Sequence, residues 1–264
     1  MAPLSGGQGD PGVLAAAALL AGAFSAELAA VYTPADVADL MPWMGEGFMG
    51  GVQIAAVESL KEAADEGRRA AEAAFAVCPH AAKTFISLDS PVWAGLSMQG
   101  RLSDVVVFDG EAARGRGPMA QTFQQIVAAE QRPVVVARPG LDPAGIAAVA
   151  WDGGKEASRA VRTALPLLQK ASKVYILSSP AASSRDFDPV ALRTFLAVRG
   201  VEAEISLVET PGEVGGQLLK AARALGANLF VAGAYGHPRL QEFIFGGATK
   251  AFLSAEGPSL FLSH

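Results

Sequence analysis

Lysine and arginine are missing from the first sixty residues of this 264-residue chain; the first is Lys61. That absence matters because residues 13–24, VLAAAALLAGAF, form an apolar run. A secretory leader needs a basic region ahead of its apolar core. A membrane span needs about 20 apolar residues, and here Glu27 follows soon after. The run reads as a buried, alanine-rich helix. Cysteine is nearly absent too: Cys78 stands alone, which excludes an intrachain disulfide and points to a reducing, cytoplasmic home. The three histidines, His80, His237 and His264, are scattered and make no metal site with it. Charged residues are 18% of the chain and the net charge is −5. An acidic chain with no dense basic cluster lacks the footprint for nucleic acid.

What is present is alternation. In the second half, GIAAVAWDG (145–153), KVYILSS (173–179), VEAEISLVE (201–209), ANLFVAGAYG (227–236) and PSLFLSH (258–264) read as strands. Helical patterns fall between them at 155–171, 189–200, 213–226 and 248–254. Alternating β and α imply a parallel sheet with helices on both faces, an α/β doubly wound fold.

The first half repeats the plan. SDVVVFDG (103–110) matches ANLFVAGAYG, and RPVVVAR (132–138) matches GPSLFLSH. ELAAVYTP (27–34) matches SKVYILSSP (172–180), and ISLD (86–89) matches ISLV (205–208). Four matches in one order mark an internal duplication. The expected domains are 1–140 and 141–264, joined at the Pro/Gly-rich RPGLDPAG. The first half carries an insertion, MPWMGEGFMGG (41–51), and a longer helix through 57–75. The turn SGGQGD (5–10) is preceded only by MAPL, where its counterpart follows a whole strand. The expectation is a native start several residues upstream, or a first half loosened at that point. SGGQGD also approximates the phosphate loop of ATP pyrophosphatases, one residue out of register, which keeps an enzymatic alternative open.

Residues 233–250, GAYGHPRLQEFIFGGATK, carry Gly233, Gly236, Gly246 and Gly247 between a strand and a helix. Glycines there let backbone amides approach a ligand, and a helix N-terminus attracts phosphate. The spacing G-x2-G-x9-G, together with AWDGGKEASRAV, FLAVRGVEAE and the duplicated five-strand plan, resembles the universal stress protein family in its tandem form. The resemblance implies two open sheets of strand order 3-2-1-4-5, similar to adenine-nucleotide hydrolase folds. It implies one site per chain for ATP or another adenine nucleotide, with Mg2+ as an accompanying cation, in a regulatory or protective module. No nucleophile–base set or carboxylate pair stands out, so the chain reads as a binder, with slow ATP hydrolysis left open. Carried over by position, Asp152 lies near the adenine and ribose, and Gly233, Gly236 and Gly246 hold phosphates. Gly247 departs from the family's Ser or Thr, which predicts weakened binding. Thr249 adds a hydroxyl and His237 can approach a phosphate; Asp152 can equally cap the next helix. Val174 to Ser178 and Pro180 are candidate walls of the adenine pocket, and Trp151 is expected to pack in the core. The first half lacks the motif; Arg114 and Arg116 there are anion candidates or a solvated loop. The last strands, RPVVVAR and PSLFLSH, are expected to pair within the chain as a pseudo-dimer, hiding two edges. A homodimer remains open, as does a nucleotide-free scaffold.

Overall fold

The computed structural model describes residues 1–34, 50–89, 92–180, 188–209, 213–234, 247–254 and 256–264. The insertion loop at 41–49 lies outside them, as do Gly236, His237 and Gly246.

The second half follows the alternating pattern closely. Strand β6 (Ile146–Ala150) leads to helix α6 (Lys155–Lys170), then β7 (Lys173–Ser178) and α7 (Pro189–Ala197). β8 (Ala203–Leu207), α8 (Val214–Ala224), β9 (Leu229–Gly233), α9 (Gly247–Ser254) and β10 (Ser259–Ser263) complete it. Helix α6 buries Ala157, Ala160, Val161, Ala164, Leu167 and Leu168, a stripe at helical spacing that seats it on the sheet. Asp188 starts α7 by accepting from Val190 N at 2.7 Å, with Pro189 as the first helical residue.

The first half repeats this as β1 (Ala2–Leu4), α1 (Asp10–Phe24), β2 (Leu28–Tyr32), α2 (Gly50–Ala76), β3 (Lys83–Ser87), α3 (Val92–Gly100), β4 (Val106–Phe108) and β5 (Val134–Val136). Short helices α4 (Gly110–Ala113) and α5 (Ala120–Gln124), continued by a π-helical turn at Gln125–Ala129, fill the β4–β5 crossover. Helix α1 is the buried alanine-rich helix the sequence predicts, with Val13, Leu14, Ala17, Leu20 and Ala21 inside. Helix α2 begins seven residues before the expected start at 57. Strand β3 begins at Lys83, three residues ahead of ISLD.

One sheet has the order β4-β5-β10-β9-β6-β7-β8, the other β1-β2-β3. Within the first sheet, β8-β7-β6-β9-β10 is the order 3-2-1-4-5. The halves join through an antiparallel pair, with Leu260 opposite Val136, Phe261 opposite Val135 and Leu262 opposite Val134. Val134 and Leu260 hold equivalent places in the two halves, so the register is two-fold symmetric about Val135–Phe261. Both of those residues are buried in a cluster that also takes α1 and α6, so one core crosses the junction. The first apolar strand of each repeat differs. β6 pairs with β7 along its whole length and with β9 from Ala147 to Val149, whereas β1 pairs with β2 and lies beside β4 without a shared ladder, the hydrogen bonds in that direction coming from Met1 just ahead of it. There Met1 N donates to Val105 O and Val107 N donates to Met1 O, each at 2.9 Å.

The repeat also corrects one alignment. Tyr32 O accepts from Leu88 N, and Ser178 O accepts from Val208 N, so Leu88 matches Val208. The likeness of ISLD to ISLV is therefore one residue out of register. Shifting a strand by one residue exchanges its faces, and the hydrogen bonds to the neighbouring strand settle which register is real.

Candidate functional site

In the second half the chain moves one way from β6 to β7 and β8, and the other way to β9 and β10. The carboxyl ends of β6 and β9 therefore flank the switch point, where open α/β sheets bind ligands. Four features meet at this edge: the turn after β6, the end of β7, the end of β9 and the first turn of α9.

The turn after β6 contains Asp152, which is exposed. Its Oδ1 accepts from Gly154 N at 2.8 Å, so the carboxylate organises its own turn with one oxygen. Gly154, not Asp152, is the N-cap of α6. At the end of β7, Ser178 is buried and donates from Oγ to Trp151 O at 2.9 Å, locking the two strand ends together. Val174, Ile176 and Leu177 of β7 are buried in the core, and Trp151 packs against it. Trp151 Nε1 is buried without a hydrogen-bond partner among the described residues.

Gly233 ends β9, opposite Ser263 of β10. A Cβ there would come within 2.6 Å of Ala157 N and the Glu156 carbonyl carbon. The bare backbone is thus required by the helix: it lets the first turn of α6 lie against the strand end. Glu156, missed in the sequence reading, is buried at this contact, with Lys155 Nζ 3.5 Å from its carboxylate. The helical stripe of α6 does not predict it, because burial comes from the neighbouring strand end.

Helix α9 begins at Gly247 and carries Thr249, which is buried. Its placement is set from two sides. Phe252 packs edge-on to Phe230 of β9, with ring centroids 4.9 Å apart. Gly215 of α8 lies so close that a Cβ would reach 2.6 Å from Ala248 Cα. The only sequence signal for that contact is the glycine pair in EVGGQLL. Arg138, from the first half, donates to Phe252 O at 2.6 Å and Leu253 O at 3.4 Å at the far end of α9. Cations are favourable at that end of a helix. Burial lowers the guanidinium pKa to about 10. So Asp152, Gly233, Gly247 and Thr249 lie on elements that end or start at one edge, while Gly236, His237 and Gly246 are outside the described residues.

The equivalent edge of the first half is closed by its own side chains. Gly6, at φ +78°, matches Gly153 at φ +74°. Here Asp10 Oδ2 accepts from Gly6 N at 2.8 Å, and Oδ1 from Ser5 N at 3.1 Å and Ser5 Oγ at 3.4 Å. The amides that a phosphate loop would offer are taken by a carboxylate. Burial raises the Asp10 pKa, against those hydrogen bonds. Asp109, at the position of Gly233, accepts from Ala112 N at 2.8 Å, and the residue facing it is Gly9, where the second half has Glu156. Arg114 and Arg116 both pair with Glu111, at 2.5 and 2.7 Å. Their hydrogen bonds hold the Glu111 carboxyl below its usual range.

Among the described residues, no group of three or more His, Cys, Asp or Glu is placed to hold a metal ion. None of their helices is long and apolar enough to cross a membrane.

No protein-family model and no curated relative matches the chain. Solved structures do. A universal stress protein from Archaeoglobus fulgidus DSM 4304 aligns over 99% of this chain and 94% of its own, with TM-score 0.60 and 15% identity. A functionally unknown protein from Pseudomonas aeruginosa PAO1 aligns over 95% of this chain and 86% of its own, with TM-score 0.53 and 17% identity. At these identities the likeness is one of fold: two tandem α/β units in a single chain.

Proposed function

We propose that this chain is a tandem universal stress protein, a cytoplasmic regulatory or protective module that holds an adenine nucleotide, ATP foremost, in its second half. The observation that carries this reading is the G-x2-G-x9-G spacing, whose first glycine ends β9 at the switch point and whose last is followed directly by α9. The described residues fit such a ligand. Asp152 is exposed beside the switch point, with one carboxylate oxygen committed to its turn and the group available to ribose hydroxyls. The first turn of α9 presents main-chain N–H groups to phosphate, and Mg2+ would offset the charge of the phosphates. Binding and regulation, with no hydrolysis required, are the role of this chain's residues. The first half contributes support only, since Asp10 takes its loop amides.

Calorimetric titration with ATP and AMP tests the reading, alongside mass spectrometry of small molecules released from the purified, denatured protein. ATP should bind, and Asp152→Ala should weaken it. Gly247→Ser adds one hydroxyl and should tighten ATP by about 0.5–1.5 kcal/mol, or two- to tenfold. If the parent and Gly247→Ser both ignore every adenine nucleotide, a nucleotide-free scaffold replaces this reading.

A further inference from the structure

The helices that follow the first strand of each half have unlike outer surfaces. Helix α6 is charged outside: Lys155, Arg159, Arg162 and Lys170 are exposed, and its one carboxylate, Glu156, is buried. Helix α1 has no charged residue after Asp10, which is itself buried. Its outward residues are Pro11, Gly12, Ala15, Leu19 and Gly22, with Leu19 45% exposed. A surface helix ordinarily turns polar side chains to water; along this row α1 turns none. Its glycines add an independent sign. Neither Gly12 nor Gly22 has a positive φ, and a Cβ at either would meet no atom within 4 Å. Glycine inside a helix weakens it relative to alanine, so nothing within the chain calls for these two. A close neighbour outside the chain does.

The flanks of α1 carry opposite charge. On one face of the molecule the helices run α2, α1, α6, α7. Helix α2 packs against α1, Lys170 of α6 stands 5.0 Å from the Phe24 ring of α1, and Arg162 of α6 lies 5.8 Å from the Phe195 ring of α7. Helix α2 exposes Glu58, Glu62, Asp65, Glu66 and Glu72 against Lys61 and Arg69; its third cation, Arg68, is held by Asp65 and Glu72. The apolar row of α1 therefore lies between an acidic helix and a basic one. Beside Leu19 and Gly22 runs a groove of about 520 Å³, walled by Ala18 and Ala23, by Pro143 and Ala144 of the connection between the halves, and by Lys170.

We propose that a second copy of this chain covers this face, α1 against α1, in a two-fold dimer. With two copies face to face, the axis can lie in two directions. An axis across the helices sets α2 on α2 and α6 on α6, like charge on like. An axis along α1 reverses the order, so that each acidic α2 meets the basic α6 of the other copy. The charges select the second arrangement, in which the two α1 helices run side by side in the same sense. Contact through Gly12, Ala15 and Gly22 brings the two main chains close, and each Leu19 enters the groove beside the other. An anionic surface or an acidic peptide would suit α6 and be repelled by α2, whereas a second copy answers both flanks.

Sedimentation velocity of the full chain from about 1 μM to 1 mM tests this, and a monomer–dimer equilibrium is expected. Leu19→Glu should weaken the dimer about tenfold or more, as should Gly12→Ala combined with Gly22→Ala. Both variants should stay folded, because these positions are open in a single copy. Arg159→Glu with Arg162→Glu should weaken the dimer likewise, and so should Glu58→Lys with Glu62→Lys. Mixed in equal amounts, the two charge-reversed chains should dimerise again, because in the mixed pair both flanks are once more opposite in sign. A monomer at every concentration overturns the proposal, whatever else α1 then binds. A dimer indifferent to Leu19→Glu uses another surface and overturns it too. So does failure of the two charge-reversed chains to recover each other.

Discussion

Replacing Gly233 by alanine should destabilise the protein by more than the matching change at Gly9, although both glycines serve the same strand–helix contact. At Gly233 the new methyl would lie 2.6 Å from Ala157 N and from the Glu156 carbonyl carbon. Normal separation for such atoms is about 3.5–4 Å, so the overlap is about 1 Å. Both neighbours are main-chain atoms in the first turn of α6 and cannot rotate away. The helix must move, and with it Ala160, Val161, Ala164 and Leu168, all buried in the shared core. Overpacking of this kind costs about 1–3 kcal/mol, and a rigid neighbour places Gly233→Ala in the upper part of that range. At Gly9 the methyl would lie 2.5 Å from Asp109 Oδ2, the mobile end of a side chain. That carboxylate can turn aside at the expense of its cap on Ala112 N, about 0.5–2 kcal/mol. The loss is offset by about 0.4–1 kcal/mol from the stiffer unfolded chain. Urea unfolding with a shared m-value measures both. Equal stabilities for the two variants, or a Gly233→Ala protein within about 0.5 kcal/mol of the parent, would refute the steric account.

Arg138→Met should cost about 1–3 kcal/mol, since it strands the carbonyls of Phe252, Leu253 and Pro258 and unties α9 from the first half; amide exchange in 250–254 should quicken, and unchanged exchange would remove Arg138 from that role. Burial raises the folded-state pKa of Asp10 above its ordinary 3.8, so the native state binds that proton more tightly than the unfolded chain. Asp10's favourable contribution is complete below 3.8 and is lost as pH rises through the folded value. Asp10→Asn cannot titrate, so its stability relative to the parent should improve across that window and then level off; a pH-independent difference would show that the carboxyl is not perturbed. Adding salt should leave Asp10's bonds intact but weaken the exposed pairs of Glu111 with Arg114 and Arg116, readable as a rise in the Glu111 pKa by NMR; a pKa indifferent to salt would count against ion pairing.

The sequence by itself determined the repeat, the alternation of strand and helix and the mutual covering of RPVVVAR and PSLFLSH; the strand order 3-2-1-4-5 came with the family resemblance, and β8-β7-β6-β9-β10 follows it. The repeat and the alternation are recorded in local periodicity: a buried strand is a short apolar run, and a helix such as α6 shows its buried stripe every three or four residues. The candidate site was legible as far as glycine spacing and strand ends reach. What the missing Cβ atoms face was not legible, because that depends on residues far apart in the chain. Gly233 is spaced like a phosphate-loop residue, yet the atoms within reach of its absent side chain belong to α6. SGGQGD has the composition of a phosphate loop, and only folding brings Asp10 onto its amides. Likewise ISLD and ISLV look equivalent, but the hydrogen bonds that Leu88 N and Val208 N donate to Tyr32 O and Ser178 O place them one residue apart. Register and steric fit are long-range quantities. They are settled when β2 meets β3 and β9 meets α6, and no window of neighbouring residues contains both partners.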